Sequence, residues 1–307
     1  TLTTRANEAT ITLDTTTNAF TGAMTITTND ASGTDADVTI DGGTTALVIA
    51  ASTVDGDLAL RTGHASGITD TGTVTVGGNF TATTDANSGV INMGSMAVDG
   101  TFTLAPNSTG AVTIVNDAGL ALAASTMGGT FSGTATTGDI TDSGALAITG
   151  AATFITRATG SNIILDHASN AFSNSVELKA DTGGNEAFGN ITFVDSAAVD
   201  FDSSASANGD LFINGSTDGA VGGNLNVTAT TGNITQNVAL AVSGTTTLTT
   251  SANDATITLG TDSNAFTGAM TITTNDASGT DADVTIDGGT TALVIAASTV
   301  DGDLALR

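Results

Sequence analysis

The chain has 307 residues, no cysteine, tryptophan or tyrosine, one proline, and 31 acidic against 5 basic side chains, for a net charge of −26. This excludes disulfides and thiolate metal centres. It also sets the surface against nucleic acid and anionic membranes, whose phosphates such a charge repels, and no run approaches the ~20 apolar residues of a membrane helix.

Taken in chain order, short runs of alternating apolar and polar residues read as strands. They are ATITL (9–13), AMTITT (23–28), DVTID (37–41), TALVIA (45–50), DLALR (57–61), TVTV (73–76) and NFTATT (79–84). TFTLA (101–105), AVTIV (111–115), SVELKA (175–180) and NLNVTAT (224–230) follow. Period-2 alternation sends one set of side chains inward and the other outward. Gly-Gly, Asn-Asp, Asp-Gly and Ser-Gly pairs between the runs are turn chemistry. Asp outnumbers Glu 28 to 3, and Gly occurs 38 times. Asp favours turns where Glu favours helices. With 39% hydrophobic residues, the chain is too apolar to be an acidic disordered segment.

Residues 1–61 recur as residues 247–307, with 56 of 61 positions identical. The differences are Arg5/Ser251, Glu8/Asp254, Asp14/Gly260, Thr16/Asp262 and Thr17/Ser263, all at polar or turn positions. Ile11, Leu13, Phe20, Met24 and Ile26 are unchanged in the second copy. The organisation expected is one large unit over 1–246 and the start of the next over 247–307. Weaker echoes lie inside it. Phe80 and Phe102 are 22 residues apart, Phe131 and Phe154 are 23 apart, and Phe172, Phe193 and Phe212 follow at 21 and 19. Phe188 and Phe201 fall off this spacing. NAF recurs at 18–20, 170–172 and 264–266. A Phe returning every ~19–23 residues predicts an all-β fold, a parallel β-solenoid (β-helix) of roughly 22 residues per coil in an elongated tandem array. At that length the 246-residue unit makes roughly 11 coils and, at about 4.8 Å each, ~50–55 Å of rise. Neither end reads as a cap, so the expected partner is the chain itself, by continuation, end-to-end stacking or lateral bundling. The alternative fold is a string of β-sandwiches, which repeats at about 90–100 residues and uses core aromatics.

The phrases LAVSGTTTLTTSANDATITL (240–259), NAFTGAMTITT (264–274), GDITDSGALAITGAATFITRA (138–158) and GNITQNVALAVSG (232–244) give the chain a resemblance. It resembles the shaft repeats of filamentous-haemagglutinin-like adhesins and related giant bacterial surface proteins. The resemblance implies a right-handed parallel β-helix, export to the cell surface, and roles in adhesion, aggregation or biofilm.

Catalytic chemistry is thin. His64 and His167 are the only histidines, and Asp166-His167 reads as a turn or surface pair. No GxSxG elbow frames a serine, and five basic residues give little grip on acidic sugars. No catalytic, cofactor or metal residue is assigned, and no cofactor is required. Calcium is the one candidate ion: Asp35, Asp37 and Asp41 recur as Asp281, Asp283 and Asp287, and Asp55 and Asp57 as Asp301 and Asp303. Carboxylates at i, i+2 share a strand face and suit a hard cation, although solvated turn aspartates read the same way. Thr-x-Thr pairs such as Thr10–Thr12, Thr25–Thr27, Thr73–Thr75, Thr81–Thr83 and Thr101–Thr103 raise ice binding, but their spacing is irregular. Glycosylation sequons stand at Asn79, Asn107, Asn190, Asn214, Asn226 and Asn233. Lys179 alone could supply an ammonium for a Lys–Asn or Lys–Asp isopeptide crosslink, which argues against the regularly crosslinked type of pilin shaft.

The function expected is a structural, non-enzymatic segment of an extracellular bacterial fibre or adhesin shaft at the cell surface. Host or neighbouring cells are its expected contacts, with no nucleic acid partner and no membrane insertion. The alternatives are a sandwich stalk or surface-layer protein and, further off, a glycan-processing or ice-binding β-helix.

Overall fold

A computed structural model describes residues 1–29, 36–180, 188–204, 207–275, 277 and 281–307. It contains two compact units, residues 1–137 with 142–150, and residues 138–141 with 151–307. The fold is a parallel β-solenoid with about 13 turns in all. Among the described residues no helix is long and apolar enough to cross a membrane.

In the first unit one ladder runs through Ile11–Leu13, Val38–Asp41, Leu58–Thr62, Phe80–Thr84, Phe102–Ala105 and Leu120–Leu122. Val38 pairs with Leu58, Leu58 with Phe80, Phe80 with Phe102 and Phe102 with Leu122, in steps of 20, 22, 22 and 20 residues. A second ladder joins Leu47–Ile49, Ile68–Asp70, Ile91–Val98, Val112–Asn116 and Phe131–Ala135. A third joins Ser52–Val54 and Val74–Val76 to the end of Ile91–Val98. Each coil thus has three short runs, and coils are joined by backbone hydrogen bonds between successive turns. Parallel pairing at this spacing rules out antiparallel sandwiches.

The second unit follows the same plan with longer coils. Ile163 pairs with Ile191, Ile191 with Leu225, Leu225 with Thr246 and Thr246 with Met270, in steps of 28, 34, 21 and 24 residues. The 34-residue step is long because Val199–Phe201 and Asp210–Asn214 lie side by side within it, with Asp200 opposite Asp210 and Phe201 opposite Leu211.

The near-copies fold in one register. Ile11 pairs with Val38 and Val38 with Leu58, as Ile257 does with Val284 and Val284 with Leu304. Leu2 pairs with Ile26 as Leu248 does with Ile272. Their surroundings differ: Leu58 and Leu60 lie beneath the next coil at 0% and 1% exposure, whereas Leu304 and Leu306 are 43% and 42% exposed.

Most of the expected phenylalanines line the interior. Phe80 meets Phe102 edge to face, centroids 5.8 Å apart, and Phe172 stacks on Phe193 at 5.2 Å. The spacing misplaced one. Phe212 is half-buried on the outer face opposite Glu177, while Phe188 and Phe201, which break the count, are buried. Leu211 takes the inward place opposite Val176, so Phe212, one residue on, turns to the other face.

Corners hold buried polar residues. The Thr62 hydroxyl donates to Thr45 O (2.6 Å), that of Thr84 to Gly89 O (2.9 Å) and that of Thr250 to Ala255 O (3.0 Å). The NAF asparagine does the same work with an amide. Asn264 donates to Asp287 O (2.9 Å) and Gln236 Oε1 (2.9 Å), and accepts from Leu240 N–H (2.9 Å).

Candidate functional site

The most regular polar feature is a staircase of Asp and Asn side chains, each placed one residue before a strand. In the first unit Asp37 Oδ1 accepts from Asp57 N–H (2.8 Å), Asp57 Oδ1 from Asn79 N–H (2.6 Å), and Asn79 Oδ1 from Thr101 N–H (2.9 Å). In the second, Asp139 accepts from Asn162 (2.7 Å), Asn162 from Asn190 (2.6 Å), Asn190 from Asn224 (2.9 Å) and Asn224 from Thr245 (2.8 Å). Asn233 accepts from Thr256 N–H (2.9 Å) and Asp283 from Asp303 N–H (2.8 Å). The turn before a strand leaves a backbone N–H pointing along the stack, and a short side chain with an oxygen meets it.

This places the calcium candidates. Asp37, Asp57 and Asp283 are staircase acceptors, while Asp41 and Asp287 each close a turn on the N–H of Gly43 or Gly289 (2.7 and 2.8 Å). The backbone N–H groups of Asp55 and Asp301 donate to the hydroxyls of Thr28 and Thr274. Asp281 and Asp303 are exposed, and Asp35 lies outside the described residues. Of the sequon asparagines, Asn79, Asn190 and Asn233 belong to the staircase, and Asn107 accepts from Ser88 N–H (3.2 Å). Asn226 is an outward strand residue opposite Thr192 and Thr247.

The carboxylates that converge on one point were not singled out in the sequence. Asp200, Asp202 and Asp210 bring their oxygens within 4.8 Å of one another, where the two strands of the long coil lie side by side. Three hard oxygens at that range could hold a cation such as Ca²⁺. Protein donors already serve them. Thr235 Oγ1 donates to Asp200 (2.8 Å), and Asn237 Nδ2 to Asp200 (2.9 Å) and Asp202 (3.3 Å). Slight desolvation pushes the Asp202 carboxyl up, but donors from Ser203, Asn237 and Ser204 outweigh it and hold the group below the usual range. No spacing rule would find this trio, because the register of the paired strands brings Asp200 and Asp210 together.

Asp195 is different. It occupies the register of Ala229 and Thr250, a corner position, and is 2% exposed. Burial pushes its carboxyl above the usual value, opposed by N–H donors from Phe172, Ala197 and Ser196. A raised pKa means that the folded state holds the proton more tightly than the unfolded chain. The stabilisation is therefore fully present below the ordinary carboxylate range and is lost as pH rises through the raised value. The melting temperature of the Asp195→Asn variant should exceed wild type at pH 7, and the gap should close as pH falls to about 4. A gap that stays constant across that range would remove the assignment.

The histidines share one turn form. Nδ1 of His64 accepts from Ser66 N–H (3.0 Å) and Nδ1 of His167 from Ser169 N–H (3.1 Å), each in a His-Ala-Ser sequence and each in a separate unit. On the outer face of the first unit, Thr39, Ala59 and Thr81 form one rank. The small Ala59 leaves a shallow groove of about 230 Å³ beside Arg61 and Asp41. Arg61 crosses it to Asp85, Nη2 to Oδ2 2.8 Å, with Asp41 at 3.7 Å. The same rank interrupts the Thr-x-Thr surface considered for ice, since Ala59 and Arg61 stand between Thr39 and the Thr81–Thr83 pair.

The family described as repeats of unknown function (DUF5649) matches residues 35–105, 109–179 and 188–273. Each match opens three residues before a strand residue, Val38, Val112 or Ile191. The first and third each take in three coil steps, from Val38 to Phe102 and from Ile191 to Met270. No curated protein and no solved structure matches the chain. With three matched segments covering well over half of its length, the chain belongs to this family of repeats.

Proposed function

We propose that the chain is a structural, non-enzymatic segment of an extracellular bacterial fibre or adhesin shaft. The observation that carries this reading is the identical register of the two near-copies. The five substitutions between them leave the inward ranks untouched, and the polar residues are spent on holding one coil to the next. Length is what such a sequence specifies. The resemblance to adhesin shaft repeats supports the cell-surface location, and the net charge of −26 favours a solvated exterior that avoids nucleic acid. The partner we propose is the chain itself, since one coil covers the apolar face of the coil before it, as Phe80–Thr84 covers Leu58 and Leu60. Both histidines accept backbone N–H groups in turns, which supports a non-catalytic role.

The test is immunogold electron microscopy of the native protein with antibody to this segment, in strains whose gene gains or loses one 246-residue unit. Labelled filaments outside the cell, changing in length by about 50–55 Å per unit, are expected. Label confined to the cell interior, or filaments of unchanged length, would overturn the reading.

A further inference from the structure

We propose that Lys179 and Asn214 are joined by an isopeptide bond, with Glu177 carrying the proton. This goes beyond the shaft reading and stands without it. Lys179 is the only lysine in the chain, and Glu177 is one of three glutamates. The fold brings both to one asparagine. Lys179 lies directly opposite Asn214 in the parallel pairing of Val176–Ala180 with Asp210–Asn214. Glu177, two residues before Lys179, shares its outward face, and its Oε1 accepts from Asn214 Nδ2 at 2.9 Å. Its other oxygen faces the Thr153 hydroxyl at 3.5 Å.

Parallel neighbours stand about 4.8 Å apart, well within reach of a lysine stem. Ile155 flanks Lys179 on one side, Phe212 lies opposite Glu177, and all of these residues are half-buried. The carboxyl holds the amide, and the lysine stem starts directly opposite that amide on the same sheet, which replaces a bimolecular encounter by positioning.

The reaction balances without an oxidant or a cofactor. Once Nζ of Lys179 has released its ammonium proton to solvent, it attacks Cγ of Asn214 and forms a C–N bond. Glu177 takes a proton from Nζ and delivers it to Nδ2. The Cγ–Nδ2 bond breaks, ammonia leaves, and the carboxylate is regenerated. The linkage closes a 35-residue loop between paired strands, the longest step of the coil in either unit.

The experiment is intact-mass spectrometry and peptide mapping of the 1–307 chain after incubation at 37 °C. A loss of about 17 Da, with a branched peptide joining the segments around Lys179 and Asn214, is expected. Asn214 precedes Gly215, so attack by the Gly215 nitrogen to give a succinimide would shed the same mass. The Lys179→Arg variant separates the two, because it keeps the charge and the strand but cannot form the branch. Glu177→Gln should slow linkage at least about a hundredfold while leaving the circular dichroism spectrum unchanged. A wild-type chain of full mass, or an equal mass loss in Lys179→Arg with no branched peptide, overturns the proposal.

Discussion

Replacing Phe80 with alanine should destabilise the first unit by about 3–5 kcal/mol, the usual cost of removing a ring from a packed core. The ring is fully buried, its strand pairs with strands of the coils before and after it, and it meets Phe102 edge to face at 5.8 Å. Truncation leaves a void whose lining belongs to three coils. Each of those coils holds its place through hydrogen bonds to its neighbours, so relaxation into the void is limited. The comparison is Phe212→Ala, which removes the same atoms from a half-buried outward position and should cost under about 1 kcal/mol. Urea unfolding followed by circular dichroism reads both. Equal losses for the two variants would mean that the outer and inner faces have been assigned wrongly.

Gly67→Ala should be comparably damaging for a different reason, with a loss of about 3 kcal/mol or more. Gly67 has φ of +61°, and an added Cβ would run into the backbone of Val90 in the next coil. Two costs combine. An L-residue is strained in the left-handed region by about 1–2 kcal/mol, and the coil above must lift where Ile68 N–H donates to Val90 O at 2.9 Å. Gly22→Ala is the control, since a Cβ there meets nothing within 4 Å. It should shift stability by no more than about 0.5 kcal/mol. Thermal melts of the two variants decide the matter, and a Gly67→Ala melt matching that of Gly22→Ala would show that the coil spacing yields.

The parallel solenoid was legible because its signal is repeated. Alternation gave the strands, and the return of Phe80 at Phe102 gave the coil length. The polar positions were harder to read. Asp55 and Asp57 look like a strand-face pair at i, i+2, yet the partner of Asp57 is Asn79, one coil later. A device whose period is the coil is hidden when neighbours are examined two residues apart. Thr62, Thr84 and Asp195 share the inward parity of Leu58, Phe80 and Ile191, but as polar residues at strand ends they read as turn residues, and the fold buries them at corners. The Asp200, Asp202 and Asp210 cluster depends on one pair of strands lying side by side, and the sequence marks that pairing only as a disturbance of the Phe count. Lys179 was legible as a lone amine. Glu177 stands two residues before it on the same strand, but that an asparagine lies opposite follows from a 35-residue register step that no echo announces.

The Asp and Asn staircase gives the molecule a direction. Every step has the acceptor on the earlier coil and the donor on the later one: Asp37 to Asp57, Asp57 to Asn79, Asn162 to Asn190, Asn190 to Asn224. A finished coil therefore presents side-chain oxygens that await the amides of residues roughly twenty to thirty-five places downstream, and nothing in that arrangement waits for residues upstream. A chain delivered N-terminus first, from a ribosome or through a narrow export pore, finds each template complete before the segment that needs it arrives. Assembly can then keep pace with delivery, one turn at a time, with only short loops to close at each stage.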